Sequence, residues 1–300
     1  MRARTSLFRT LLPLGILVWT AALHAGGQLP SDEKTTTEAL KDSSKKAVAW
    51  VKKLSGSINL TQTGYSNWAK GGENTIAWST RVDGDAKRYG PKWSWQFTGI
   101  LLFGQTKQEG ESIRNTLDKI DIDGTISCKT NRYVNPYMSV GVLSQFAKGY
   151  DFSKDPPELK SNFWDPAYLT QSLGARVQFK VVNSNLGLGF KQTIARRFTQ
   201  YSDDPETEKV EKLKLETGLT SKTQVDAKFN TVLTLKSKLE LFSAFDDLDA
   251  VDLNLDMLLT AKLNKYVVVS LNLLLNYDKD VLRKLQFKEI TSVGLSYSFI

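Results

Sequence analysis

Residues 225–242, VDAKFNTVLTLKSKLELF, place apolar and polar side chains on alternate positions. Val225, Ala227, Phe229, Leu233, Leu235, Leu239 and Leu241 share one parity, and Asp226, Lys228, Asn230, Thr234, Lys236, Lys238 and Glu240 share the other. A period of two belongs to a β-strand with two unlike faces, yet strands of globular proteins usually stop at about five or six residues. The stretch is expected to form one long strand. A strand that spans a bilayer needs about 9–11 tilted residues and projects beyond the membrane if longer. The odd face would then touch lipid and the even face would line a lumen.

The same pattern recurs from Gly56 to the last residue, with no convincing helix between the stretches. Val251 to Leu263 and Val267 to Tyr277 repeat the odd apolar parity across a turn at Asn264–Lys265, and Leu285, Phe287, Val293, Leu295, Tyr297 and Phe299 repeat it again. Trp93, Trp95, Phe97, Leu101 and Phe103 form an aromatic-rich version. About twelve strands follow from alternation and turn signals. Connections are expected near 65–74, 89–91, 105–116, 129–132, 147–166, 182–185, 197–211, 221–224, 243–250, 264–265 and 278–284. Long and short connections alternate, as in an outer-membrane barrel with long external loops and short periplasmic turns. Backbone polar groups cannot stay open in hydrocarbon, so the sheet must close on itself. The fold class is therefore all-β: a closed antiparallel transmembrane β-barrel of about twelve strands with a short N-terminal periplasmic tail. The rival is a secreted sandwich with its apolar side turned inward, which strand length and loop asymmetry disfavour. The ending, with Gly294, Tyr297 and Phe299, fits the glycine–aromatic pattern that outer-membrane barrels present to the barrel-assembly machinery, although Ile300 follows the last aromatic.

The N-terminus explains how such a chain leaves the cytoplasm. Arg2, Arg4 and Arg9 precede the apolar run LLPLGILVWTAALHA and then Gly26 and Gly27, the layout of a cleavable signal peptide over 1–25. Its removal takes away His24, the single histidine, and lowers the formal charge from +8 to +5, since 40 basic residues less three face 32 acidic ones. A mature chain without imidazole holds no Ser-His dyad, His-ligated zinc or His general base. Cys128 is alone, so no intramolecular disulfide forms. Residues 26–56 are polar, with Leu40, Ala47, Val48, Val51 and Leu54 near helical spacing, and read as a periplasmic tail with one weak amphipathic helix. The barrel is expected over 57–300.

Three stretches carry a resemblance: SNWAKGGEN (66–74), NTLDKIDIDGTISCKTNRYVNPYMSVGVLSQFAKGYDF (115–152) and SNFWDPAYL (161–169). In this order they resemble a family of outer-membrane β-barrels of diderm bacteria that is catalogued only as a domain of unknown function. The resemblance runs over roughly residues 50–200, and the C-terminal third matches only as generic barrel strands. It implies a barrel in the outer membrane and brings no substrate or reaction with it.

Two external stretches supply candidate ligand contacts: Asn67, Trp68 and Glu73 from the first loop, and Trp164 and Tyr168 from the end of the longest one. For SNWAKGGEN an ordered loop that helps close the barrel is the preferred reading. Phe163, Trp164 and Tyr168 belong either to an interfacial aromatic girdle, the preferred reading, or to a cover over a ligand. The lumen face is expected to show Lys191, Lys212, Lys214, Glu216, Asp226, Lys228, Lys236, Lys238, Glu240, Asp252, Asp256 and Lys262. Mixed charge in a narrow barrel favours a salt-bridged, hydrated interior, while a modest lysine excess would instead favour anion passage. The acidic clusters Asp203/Asp204/Glu206/Glu208 and Asp246/Asp247/Asp249 read as solvated loop charge, with no EF-hand spacing.

The favoured function is a narrow channel or transport barrel for small polar solutes. The alternative is a non-conducting scaffold or docking barrel, and an outer-membrane lipid-modifying enzyme is a distant third. No catalytic constellation, cofactor or metal is expected. Expected partners are outer-membrane lipid, lipopolysaccharide and the assembly machinery. Lysines that alternate with acids suggest no nucleic-acid surface.

Overall fold

A computed structural model describes residues 50–64, 73–203, 209–248, 250–279 and 282–299. The strands are β1 (Trp50–Thr63), β2 (Thr75–Tyr89), β3 (Trp93–Gln108), β4 (Arg114–Cys128), β5 (Val134–Ser144), β6 (Gly149–Asp151) and β7 (Glu158–Ser161) in the first half. They continue as β8 (Ala167–Gln178), β9 (Val182–Ile194), β10 (Leu213–Lys228), β11 (Leu233–Ala244), β12 (Val251–Lys262), β13 (Val267–Asp278) and β14 (Leu282–Ser298). Twelve of them close into an antiparallel barrel in the order β1-β14-β13-β12-β11-β10-β9-β8-β5-β4-β3-β2. The remaining pair, β6 and β7, makes a small hairpin inside the connection from β5 to β8. Closure gives each of the twelve strands a neighbour on both sides.

The outward rows are apolar and unshielded: Ile58 is 64% exposed and Leu295 61%. Rings gather toward both ends of this wall. At the long-loop end Trp78 meets Phe103 with centroids 5.7 Å apart, and Phe103 meets Phe146 at 6.4 Å. At the short-turn end Trp50 lies 5.9 Å from Phe97, Tyr133 6.3 Å from Phe179, and Tyr266 stacks on Tyr297 at 6.5 Å. An apolar band between two aromatic belts is the exterior of a transmembrane barrel.

Three sequence expectations change. Residues 225–242 are not one strand: β10 ends at Lys228 and β11 starts at Leu233. The intervening turn is built on Asn230, whose Oδ1 accepts the backbone N–H of Val232 at 2.8 Å and of Leu233 at 2.7 Å. Pairing sets Ala227 opposite Leu235, odd against odd, so the parity runs straight through the turn and hides it. Asn264 repeats the device before β13, accepting from Tyr266 and Val267 at 2.8 Å each.

The turns expected at 182–185 and 221–224 both lie inside strands, β9 and β10, and the connections are at 179–181 and 229–232. A single feature misplaces both. Ser184 and Thr223 are paired across these strands and share a buried hydroxyl hydrogen bond of 2.9 Å, which with Ser221 beside Thr223 interrupts the apolar rows at this height. The barrel also begins earlier than residue 57. β1 starts at Trp50 and takes Val51 and Leu54, two positions of the expected amphipathic helix, into the wall. The signal peptide and Leu40, Ala47 and Val48 lie outside the described residues.

Candidate functional site

The inward rows bring charges of opposite sign together across the barrel axis. From β11, the ammonium of Lys238 lies 2.6 Å from Asp121 Oδ1 and 2.5 Å from Asp123 Oδ2, both on β4, and 3.3 Å from Glu240 Oε1 on its own strand. Lys222 of β10 pairs with Asp123 and lies 2.6 Å from Glu240 Oε1. Arg81 of β2 holds Asp83 at 3.1 Å and reaches Asp256 of β12 at 3.3 Å. Lys119 joins the two groups, 3.1 Å from Asp121 and 3.5 Å from Asp256. Asn272 of β13 donates to Asp256 at 2.9 Å. β4 and β12 stand on opposite sides of the ring, so the Lys119–Asp256 contact crosses the full lumen.

Burial is deep, at 7% exposure for Lys238 and 3% for both Asp121 and Asp256. Charges withdrawn from water this far are tolerable only when paired and hydrogen-bonded. Here each lattice carboxylate touches a cation. Gly141 of β5 makes room for the crossing: a Cβ there would sit 2.5 Å from Asp123 Oδ1 and 3.2 Å from Lys222 Nζ. Toward the short-turn side, Gln96 of β3 donates to Gln224 of β10 at 3.1 Å and accepts from Arg176 of β8. The cavity between these groups measures about 10 Å³, room for roughly one water.

A second, smaller cluster lies on the long-loop side. Lys191 of β9 is 2.6 Å from Asp252 and 3.5 Å from Glu216, and Lys214 is 3.1 Å from Glu216. The ammonium of Lys191 stands 5.8 Å from the Tyr168 ring and 5.4 Å from that of Phe242.

Of the residues expected to line the lumen, Lys238, Glu240 and Asp256 lie in the central lattice, and Lys191, Lys214, Glu216 and Asp252 in the second cluster. Lys212 precedes β10, while Asp226, Lys228, Lys236 and Lys262 are exposed toward the short-turn end. Parity assigns a face but not a height, so strand ends that project past the wall are counted with the interior. Sequence reading missed Arg81, Asp83, Lys119, Asp121, Asp123, Arg176 and Lys222. A signal was present for five of them: Arg81 and Asp83 in RVDGDAK, and Lys119, Asp121 and Asp123 in DKIDID, sit on alternate positions at the inward parity.

At the mouth, Asn67 and Trp68 lie outside the described residues. Glu73 accepts from Gln108. Trp164, at φ 56°, sits in a turn where the N–H of Asn162 donates to Asp165 O at 2.9 Å, and Tyr168 turns inward to Lys191. These residues take separate partners. What the FWDPAY and DKI blocks supply instead is a pair of carboxylate latches. Asp165 accepts the backbone N–H of Arg196 at 3.0 Å and of Arg197 at 2.9 Å. Asp118 accepts those of Phe146 at 2.6 Å and Ala147 at 2.8 Å. Each pins one loop to the top of another strand.

Two family models match the chain. Residues 60–150 match "Protein of unknown function (DUF3078)" and residues 168–299 match "Protein of unknown function, DUF481". The C-terminal part thus has a family match of its own, beyond generic strands. No curated protein matches the sequence. Among solved structures the chain is similar to an outer-membrane channel from Pseudomonas putida F1, with 9% identity, a TM-score of 0.37, and coverage of 90% of this chain and 98% of that one. It is also similar to the translocator domain of autotransporter NalP from Neisseria meningitidis, with 9% identity, a TM-score of 0.34, and coverage of 93% and 97%. Pseudomonas putida OprB gives 10%, 0.32, 89% and 97% in the same terms.

Proposed function

We propose that this protein is an outer-membrane barrel that does not conduct in its resting state and serves as a docking barrel, with its pinned external loops as the working surface. The single observation behind this reading is the ion-pair lattice that crosses the lumen from β4 to β10, β11 and β12. A channel for polar solutes needs a continuous hydrated path, and here opposing side chains meet at hydrogen-bonding distance along the axis. The carboxylate latches support the second half of the reading, because a surface fixed before binding loses less conformational entropy when a partner arrives.

Planar-bilayer recording tests the closed lumen. Wild-type protein is expected to give no discrete steps, whereas a balanced variant, Asp121→Ser, Asp123→Ser, Lys222→Ser and Lys238→Ser together, is expected to give them. Regular steps from the wild type at modest voltage would overturn the reading. Photo-crosslinkers at Lys154 and Val210 in living cells test docking: one discrete adduct is expected, and a featureless smear argues against it.

A further inference from the structure

Arg176 is the exception among the buried cations of the lumen. Arg81, Lys119, Lys222 and Lys238 each touch at least one carboxylate. Arg176 is 4% exposed, and among the described residues it makes no ion pair; Nη2 donates to Gln96 and Nε has no hydrogen-bond partner. A guanidinium cannot shed its proton in a protein, so its charge stays in place; Asp85 acts on it only from beyond ion-pair distance, and the buried group calls for a closer counter-charge.

The cavity of about 10 Å³ lies against this group. Besides Arg176 its walls carry the Lys222 ammonium and the hydroxyls and amides of Thr98, Thr125, Asn183 and Gln224, which can donate as well as accept. The one carboxylate there, Asp123, is already divided between Lys222 and Lys238. Asn185, also in the wall, has a buried Oδ1 without a donor. A half-turn of that amide would remove the orphan acceptor and add a donor.

We propose that the cavity is a site for a single monatomic anion, a halide, that neutralises Arg176 inside the closed barrel. A polyatomic anion is too large for a space of this size, and water satisfies the free N–H without the charge.

Crystals of the refolded full chain grown in sodium bromide are expected to show anomalous density at the bromine edge beside Arg176 Nε. In solution, chloride should raise stability over gluconate at equal ionic strength. At ten times its Kd the folded-to-unfolded ratio rises about elevenfold. Arg176→Gln should abolish both effects. Asn183→Leu, which keeps the guanidinium and fills the cavity, should also abolish them and guards against a folding failure of the first variant. An ordered water with no anomalous signal, bromide at other places only, or equal chloride increments in wild type and both variants would overturn the proposal.

Discussion

The two faces of β10 and β11 are made by the same backbone and obey different rules. Outward, Leu213, Leu215, Leu219 and Leu241 meet a solvent that asks only for apolar surface, so any of them can change shape at little cost. Inward, Lys222 and Lys238 depend on particular carboxylates of β4, and Glu240 depends on those two lysines. The outer face specifies a chemistry, and the inner face specifies partners.

The strongest way to break this contrast is Lys238→Met, which removes the cation shared by Asp121, Asp123 and Glu240 and leaves the buried cluster one positive charge short. A loss of about 3–5 kcal/mol is expected in urea unfolding from micelles; a loss near zero would mean that the interior is as forgiving as the exterior. Next comes Leu219→Arg on the lipid face, expected to cost about 2–4 kcal/mol, while Leu219→Ile stays within about 0.5 kcal/mol in the same assay. Asp165→Asn tests whether partner dependence extends to the loops. It should cost about 1–3 kcal/mol and appear as faster hydrogen exchange at the amides of Arg196 and Arg197.

The smallest effect concerns the β6–β7 hairpin. Its own hydrogen bond from Ser153 holds Asp151 below the ordinary 3.8, and one from Lys154 holds Glu158 below 4.5. A depressed carboxylate favours the folded form above its ordinary value, and that gain is lost as pH falls through the lowered one. The backbone NMR shifts of residues 149–161 should therefore hold from neutral pH down to about pH 4.5 and drift toward random-coil values below it.

The alternation made the barrel legible, because lipid outside and charge inside impose a period of two on every strand. It failed where that rule is silent. Ala227 and Leu235 keep one parity across a turn, so β10 and β11 read as one strand; the Ser184–Thr223 pair looks like loop polarity because a shared hydrogen bond satisfies it. The lattice was half legible. Lys238, Glu240 and Asp256 can be assigned to the lumen by parity, but the contact of Lys238 with Asp121 joins residues 117 positions apart, and no local pattern records it. The latch made by Asp118 is invisible for the same reason.

The ring is also fastened unevenly. β1 matches β2 along its whole length, from Trp50 opposite Arg88 to Thr63 opposite Thr75, whereas it meets β14 over only five positions, Ser55 to Asn59 against Ser298 to Gly294. This short hem joins strands from the two extremes of the barrel sequence, so it can be sewn only after β14 has been synthesised. Without that hem the sheet would be a ribbon with two raw borders, and the charges that meet across the lumen would have no closed ring to bring them together.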